Sequence, residues 1–183
     1  MIRQIRGRAA SSLMKGWERL STDGGGGDDA WRAWLDQHGP ALLLFARQWC
    51  RSRADAEDAV QDGFVRFWKS RNRARDDAAY AFACVRTAAI DLSRAAGRRK
   101  HYEANASVFE NVGEREELRE VVEVALGKLP QEQREVLVMK IWGGLTFAQI
   151  GESLAIATST AASRYRYALE RLEAALAKEV SRD

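Results

Sequence analysis

Small hydroxyl and guanidinium side chains cluster near the carboxyl end of the chain, at a spacing that suits contact with DNA. Apolar residues at helical intervals predict one helix there, which begins at Thr158 and buries one side. On such a helix, hydroxyls near the amino end bind phosphate, and arginine binds phosphate or guanine in the major groove. The opening turn is Thr158, Ser159 and Thr160, and the residues predicted to face outward are Ser159, Ala162, Ser163, Arg164 and Arg166. A solvated helix face is the alternative interpretation.

The segment before this helix favours the DNA-binding interpretation. Phe147, Ile150 and Leu154 form the apolar stripe of a short helix, which Thr146 is expected to cap. Only residues 155–157 separate the two helices, which is too few for a loop of any size. Two helices this close must cross at a steep angle, so the pattern predicts a helix-turn-helix.

Carboxylates are concentrated between Asp55 and Asp62, although the chain has a net charge of +3 and a pI near 9.0. Their spacing predicts that they line the surface of one helix, with Asp55 as its N-cap. A solvated face and a docking face for a basic partner explain this pattern equally well. A metal site explains it poorly, because no His or Cys lies at ligand spacing and nothing resembles a calcium loop.

Basic and aromatic residues are interleaved in the middle of the chain, which is the combination that binds single-stranded nucleic acid. Phosphates pair with basic side chains, and unstacked bases pack on rings. The alternative is that the rings form the core and the charges keep the surface solvated. The basic residues are Arg66, Lys69, Arg71, Arg73, Arg75, Arg94, Arg98, Arg99 and Lys100, and the aromatic residues are Phe64, Phe67, Trp68, Tyr80 and Phe82.

The composition predicts an all-α fold, since 46% of the 183 residues are hydrophobic and only 2 are proline. We expect two small helical domains joined by a flexible linker, the second ending in the helix-turn-helix. The predicted parts are a flexible amino-terminal tail (1–27), a first domain (28–100), the linker (101–113) and a second domain (114–178). Gly39-Pro40 is expected to kink or split the first helix, and a later helix is predicted from about Asp77 to Ala96.

Several functional classes are excluded by what the sequence lacks. No apolar run suits a signal peptide or a membrane span, which predicts a cytoplasmic protein without membrane insertion. Cys50 and Cys84 lie in apolar surroundings and are predicted to be buried thiols; only His38 and His101 could join them, so a zinc centre is rejected. No phosphate-binding loop or nucleophile–base pair can be assembled. The chain is therefore predicted to be a binding protein without a cofactor, and not an enzyme.

Three segments, in this order, resemble the extracytoplasmic-function group of bacterial RNA polymerase sigma factors. "RADAEDAVQDGFVRFWKS" is similar to the acidic helix of region two, and "AYAFACVRTAAIDLSRAAGRR" is similar to the promoter-melting helix. "LPQEQREVLVMKIWGGLTFAQIGESLAIATSTAASRYRYALERL" is similar to region four. The resemblance extends from about Trp31 to Leu176. It implies a promoter-specificity subunit that binds core RNA polymerase, recognises the minus-ten and minus-thirty-five elements and supports transcription initiation.

The resemblance also implies which residues make each contact. The face that docks on the basic coiled coil of the polymerase clamp is Asp55, Glu57, Asp58, Gln61 and Asp62. The residues for the minus-ten element and its melted strand are Ser70, Arg71, Asn72, Arg73, Arg75, Tyr80, Arg86, Asp91, Arg94, Arg98 and Arg99, and the loop from Ser70 to Asp77 takes a flipped base. The residues for the duplex minus-thirty-five element are Thr158, Ser159, Thr160, Ala162, Ser163, Arg164, Arg166 and Tyr167. Arg164, nearer the amino end, is expected to reach deeper into the groove than Arg166.

Two other functions stay open on the sequence alone. A stand-alone helix-turn-helix regulator would need neither the acidic helix nor the basic and aromatic middle segment. A helical anti-sigma or adaptor protein would have no need of an exposed Arg164 and Arg166. If the chain is a sigma factor, a dedicated anti-sigma factor is a further candidate partner.

Overall fold

A computed structural model of the chain describes residues 28–99 and 126–180. These residues form six α-helices and contain no strand, which confirms the predicted all-α fold. The helices are α1 (Asp28–Ala46), α2 (Arg53–Ser70), α3 (Asp77–Arg99), α4 (Gln131–Ile141), α5 (Phe147–Leu154) and α6 (Thr158–Val180), with a 3-10 turn at Arg71–Arg73. The predicted tail (1–27), the predicted linker (101–113) and most of the helix expected before Leu129 lie outside the described residues.

The first module consists of α1 to α3, and its helices differ from the sequence-based expectation in two places. The N-cap of α2 is Ser52 and not Asp55, because the Ser52 Oγ accepts a hydrogen bond from the Asp55 backbone N at 3.0 Å. Asp55 instead lies in the first turn, where its negative charge interacts favourably with the positive end of the helix dipole. Helix α1 continues through Pro40, so the expected split is wrong. Buried neighbours such as Leu35 and Leu42 hold this helix together across the proline.

Aromatic rings fill the core of the first module. Trp34 of α1 stacks on Phe67 of α2 with 5.7 Å between ring centroids. Phe45 meets Phe82 of α3 edge-on at 5.3 Å. The alternative given above for the aromatic residues is therefore correct for Phe67 and Phe82, which are fully buried.

Helices α2 and α3 cross closely at Gly63, which gives a testable consequence for stability. A Cβ added at Gly63 would lie 2.6 Å from the Cα of Val85, so the helix backbones would have to move apart. We expect Gly63→Ala to destabilise the chain by about 2 kcal/mol, the usual cost of overpacking, as measured by urea unfolding. Gly127→Ala is the matched control, because no atom lies within 4 Å of its added Cβ; equal stability of the two variants would contradict this account of the crossing.

The second module consists of α4 to α6. It contains the predicted helix-turn-helix, which α5 and α6 form. Thr146 caps α5 as expected: its Oγ1 accepts from the Gln149 backbone N at 3.2 Å, and its own N donates to the Gln149 Oε1 at 2.7 Å. Ala155 ends α5 in the left-handed conformation with φ 54°. The next helix begins at Thr158, which is the predicted start.

The two modules pack against each other, an arrangement that the sequence did not predict. Helix α5 packs on α3, and α4 packs on α1. An added Cβ at Gly143 would lie 3.0 Å from the Phe82 ring, which shows how closely the turn after α4 approaches α3. The buried residues of both modules form one continuous hydrophobic cluster.

The chain's two cysteines, Cys50 and Cys84, are free thiols in the first module. Cys84 is buried and Cys50 is half-buried. Burial, together with the nearby charges of Asp55 and Asp58, raises the pKa of the Cys50 thiol to about 11. Burial also raises the pKa of Cys84.

Candidate partner and nucleic-acid interfaces

One face of α2 brings together the acidic residues that were predicted from the sequence. The helix buries a stripe that includes Val60 and Phe67, and this leaves Asp58 and Asp62 exposed on another side. Asp55, Glu57 and Gln61 are half-buried beside them. Glu57 Oε1 lies 2.9 Å from Nε of Arg53, so part of the charge is balanced within the helix. The face as a whole presents carboxylates at the surface of the first module.

Arg66 connects this acidic face to α3, a link that sequence reasoning missed. Its Nη2 lies 3.3 Å from Oδ2 of Asp62, and its Nη1 lies 3.0 Å from Oδ2 of Asp91. The hydrogen bond to Asp91 is the largest of the effects that raise the pKa of Arg66. The four-residue spacing of Asp62 and Arg66 was the available signal, because residues at that spacing are neighbours on a helix. Asp62 and Asp91, which were assigned to different contacts, therefore share one guanidinium group.

The segment between α2 and α3 forms a compact turn in which Arg71 covers an aromatic ring. The Arg71 guanidinium carbon lies 3.5 Å from the centroid of the Trp68 ring, and Nη1 donates to the Trp68 carbonyl at 2.9 Å. Such a stacked guanidinium can also stack on a nucleic-acid base. Asn72 and Arg75 are exposed in this segment, and Ser70 is half-buried. The Arg73 side chain lies outside the described part of the structure.

The remaining residues predicted to contact the minus-ten element lie along α3. Tyr80 is half-buried, with its ring centroid 6.0 Å from that of Phe67. Asp91 and Arg94 are exposed. Arg98 and Arg99 are in the last turn of α3, and their side chains are not among those described.

Arg86 differs from the other residues predicted to contact the minus-ten element because it lies between the two modules. Its Nε donates to Oε1 of Glu135 on α4 at 2.8 Å, and its guanidinium lies 5.3 Å from the Trp49 ring centroid. The side chain retains 35% exposure. In this arrangement the strand-contacting role expected of Arg86 competes with a partner inside the chain.

Glu135 is a buried carboxylate that sequence reasoning did not single out. It is 1% exposed, in the apolar run "EVLVM" of α4. Desolvation raises its pKa above the ordinary 4.5, although the hydrogen bond from Arg86 and the charges of Arg86 and Arg164 act in the opposite direction. A charged residue at the start of a buried apolar stretch was the signal that could have found it.

The raised pKa predicts that Glu135 makes the stability of the chain depend on pH. The folded state keeps the Glu135 proton at pH values where the unfolded chain has lost it, so this contribution is complete below the unfolded pKa of 4.5 and is lost as pH rises through the folded pKa. We therefore expect the free energy of unfolding of Glu135→Gln, relative to the unchanged chain, to rise across that window. Urea unfolding between about pH 4 and pH 8 measures this difference. Glu132→Gln, at an exposed position on the same helix, is the control; equal pH profiles for the Glu135 variant and the unchanged chain would contradict the prediction.

The outer face of α6 carries most, but not all, of the residues expected to contact duplex DNA. Ala161 and Ala168 are buried and mark the side that packs on α4 and α5. Arg166 and Tyr167 point away from that side, with 65% and 47% exposure. Thr158, Ser159 and Thr160 are exposed in the first turn, and Ala162 and Ser163 are half-buried.

Arg164 is only partly exposed, and it lies nearer the packed side of α6 than the prediction placed it. It follows Ala161 by three residues and precedes Ala168 by four, which places all three on one side of the helix. Its side chain is 27% exposed, and its Nη2 lies 3.9 Å from Oε2 of Glu132 on α4. Arg166, which lies on the opposite side, is the arginine that this face offers to a groove.

Within residues 28–99 and 126–180, no helix is both long and apolar enough to cross a membrane. The same two segments hold no group of three His, Cys, Asp or Glu residues that could bind a metal ion.

Comparison with known proteins identifies both modules. Residues 34–99 match the family described as Sigma-70 region 2, and residues 125–174 match Sigma-70, region 4. The chain is 30% identical over 164 residues to the ECF RNA polymerase sigma factor SigL of Mycobacterium tuberculosis, with 79% of this chain and 88% of SigL covered.

Two solved structures share the fold. CnrH, solved in complex with the cytosolic domain of CnrY, has 26% identity and a TM-score of 0.61, with 96% of this chain and 97% of that chain covered. The sigma factor RpoE of Bartonella quintana, solved with the anti-sigma factor NepR, has 22% identity and a TM-score of 0.62, with 80% and 96% covered.

Proposed function

Because the chain belongs to the extracytoplasmic-function (ECF) group of RNA polymerase sigma factors, we propose that three of its surfaces make the contacts of such a subunit. The chain is a promoter-specificity subunit that binds core RNA polymerase and promoter DNA and supports transcription initiation. The assignment of these tasks to particular residues is our proposal. Its strongest support is that an acidic docking face and a helix-turn-helix occur in one chain.

The acidic face of α2 docks on core RNA polymerase. Asp58 and Asp62 are its exposed carboxylates, and Asp55, Glu57 and Gln61 flank them. A group of like charges on a rigid helix suits a basic partner surface and speeds the encounter with it. The stacking of Trp34 on Phe67 and the hydrogen bond from Arg66 to Asp91 hold α2 in place within the module, and with it this face.

The turn after α2 and the outer side of α3 bind the minus-ten element. The Arg71 guanidinium, held flat on Trp68, gives an unstacked base a planar surface, while Asn72 and Arg75 are exposed beside it. Ser70, Arg73, Tyr80, Asp91, Arg94, Arg98 and Arg99 complete this proposed surface. Arg86 joins it only when its bond to Glu135 is broken.

Helix α6 enters the major groove of the minus-thirty-five element. Arg166 and Tyr167 are the long side chains on its exposed face, and the hydroxyls of Thr158, Ser159 and Thr160 lie at its amino end. Arginine can form a bidentate contact with guanine, and the hydroxyls suit phosphate oxygens. Arg164 supports the packing of α6 on α4 from the other side.

Membership of the ECF group argues against both alternatives drawn from the sequence, the stand-alone regulator and the helical anti-sigma or adaptor protein. We propose that the chain has no catalytic activity of its own and acts in the cytoplasm, where it meets core polymerase. The RpoE neighbour, which was solved with an anti-sigma factor, supports the further proposal that a dedicated anti-sigma factor regulates this chain.

The test of the proposed function is run-off transcription from a promoter library with purified chain and core RNA polymerase. We expect a subset of promoters to be transcribed only when the chain is present, and these promoters should share two spaced elements. Core polymerase alone is the control. Transcription that does not depend on the chain, or active promoters without a shared upstream element, would contradict the proposal.

A further inference from the structure

We infer that Arg66 and Asp91 are positioning residues for the binding of core RNA polymerase. Asp91 on α3 holds the Arg66 guanidinium, and Arg66 holds the Asp62 carboxylate on the acidic face of α2 in one orientation. This inference rests on the proposed function, because it takes that face as the docking surface. It gives Asp91 a task besides the one proposed for it at the minus-ten element.

The planar guanidinium of Arg66 binds two carboxylates at the same time. Its Nη1 lies 3.0 Å from Oδ2 of Asp91, and its Nη2 lies 3.3 Å from Oδ2 of Asp62. The two contacts use different terminal nitrogens, whose relative positions are fixed by the guanidinium plane. The bond to Asp91 is the shorter of the two, and it is the largest of the effects that raise the pKa of Arg66. Asp91 is therefore the anchor, and Asp62 is the carboxylate that is oriented.

The helix crossing beside these residues makes Asp91 a fixed reference point. Gly63 lies between Asp62 and Arg66 in α2, and a Cβ added to it would lie 2.6 Å from the Cα of Val85. Val85 is buried on α3, within about two helical turns of Asp91. The backbones of α2 and α3 are thus in close contact next to the ion pairs, and they cannot shift without losing that packing. The freedom that remains is that of the side chains.

Asp62 needs such support because most of its side chain is in solvent. It is 61% exposed. An exposed side chain exchanges between rotamers within nanoseconds, and ordering it at an interface costs conformational entropy. Arg66 offsets part of that cost in the free chain, since it already holds Oδ2 of Asp62. A carboxylate accepts several hydrogen bonds, so the oriented group can still bind a basic side chain of the partner.

The direction of the effect separates positioning from simple charge. If Arg66 only added positive charge to the acidic face, its removal would make the face more negative and strengthen its attraction to a basic partner. A positioning role predicts the reverse, a weaker complex. Exposed charges act mainly on the association rate, whereas a poorly ordered contact mainly speeds dissociation. A charge role and a positioning role therefore change different rate constants.

The experiment measures association and dissociation of the full-length chain and core RNA polymerase by stopped-flow fluorescence, with a dye on the amino terminus of the chain. We expect Arg66→Gln and Asp91→Ala each to raise the dissociation rate constant by about four-fold, within the range for an exposed ion pair. Their association rate constants should change by less than about two-fold. Arg171→Gln makes the same charge change as Arg66→Gln at an exposed position on α6 and should leave both rate constants unchanged.

A double-mutant cycle shows whether Arg66 acts through Asp62. Asp62→Ala alone should raise the dissociation rate constant by at least as much as Arg66→Gln does. In the Asp62→Ala background, Arg66→Gln should cause no further increase, because the group that it orients is gone. A general loss of stability would speed dissociation in both backgrounds alike.

Four results would overturn the inference. A tighter complex for Arg66→Gln, caused by faster association, would show that Arg66 acts only through its charge. The same four-fold increase in the Asp62→Ala background would show that it does not act through Asp62. Unchanged dissociation for Asp91→Ala would remove Asp91 as the anchor. A loss of helix by circular dichroism in the single variants would assign their effect to unfolding.

The proposed function fails in a different and recognisable way. If Asp62→Ala leaves both rate constants unchanged, the acidic face is not the docking surface, and the positioning role is refuted together with that part of the proposed function. If Asp62→Ala speeds dissociation but Arg66→Gln and Asp91→Ala do not, the docking surface stands and only the positioning role is refuted.

Discussion

Reversing the charge of Asp58 and Asp62 together, to lysine, is expected to lower the affinity of the chain for core RNA polymerase by about 1,000-fold, which corresponds to about 4 kcal/mol. The expectation follows from the exposure of both carboxylates on the acidic face of α2. Like charges placed opposite each other across an interface cost several kcal/mol. Folding should be little affected, because the only ion pair lost among the residues that the structure describes is the exposed bridge from Asp62 to Arg66.

Affinity for core polymerase can be measured by fluorescence anisotropy at several salt concentrations, with circular dichroism to confirm the helix content. The control variant reverses Asp36 and Glu173, two exposed carboxylates on α1 and α6, and changes the net charge by the same amount. We expect that variant to bind core polymerase almost normally. If both variants lose affinity equally, the effect is one of net charge and the docking face lies elsewhere; if neither does, the acidic face is only a solvated surface.

We expect Arg166→Glu to abolish most recognition of the minus-thirty-five element and to lower the affinity of holoenzyme for a matched promoter by about 100-fold. An arginine that contacts guanine contributes roughly 1 to 3 kcal/mol of discrimination, and the introduced carboxylate also repels phosphates. Arg166 is 65% exposed and lies opposite the packed side of α6. The loss should therefore come from the DNA contact and not from the fold.

Two further variants separate position from charge. Arg171→Glu makes the same charge change at an exposed site farther along α6 and should have a much smaller effect. Arg164→Ala should reduce stability more than DNA affinity, because its guanidinium lies near Glu132 on α4. Binding curves against matched and mismatched upstream elements test these expectations. A larger loss of discrimination in Arg164→Ala than in Arg166→Ala would show that the groove is read from the other side of α6.

Local patterns were sufficient to predict the helix-turn-helix. Thr146, the apolar stripe of α5 and the three-residue break are neighbours in sequence, and the forces that define them act over one or two helical turns. The acidic face could also be predicted, since it depends only on the periodicity of α2. The cap of that helix was misplaced because Ser52 and Asp55 are both good caps, and only the backbone geometry decides between them.

The helical periodicity of α6 indicates the orientation of Arg164 better than its position along the helix does. Its nearness to the amino end of α6 favoured contact with DNA. Its spacing from the buried residues Ala161 and Ala168, however, places it towards the side of α6 that packs on α4. The packing of the two modules could not be predicted at all. The bonds from Arg86 to Glu135 and from Asp76 to Gln149 join residues that are 49 and 73 positions apart, and no local pattern encodes such a pair.

The state of the two thiols limits how a signal can reach this sigma factor. Oxidants and electrophiles attack the thiolate form of cysteine. The raised pKa values keep Cys84 and, with a pKa of about 11, Cys50 protonated near neutral pH. These are the chain's only cysteines. Direct oxidation of these two thiols is therefore slow near neutral pH, and an oxidative signal is received more readily by another molecule that binds this subunit.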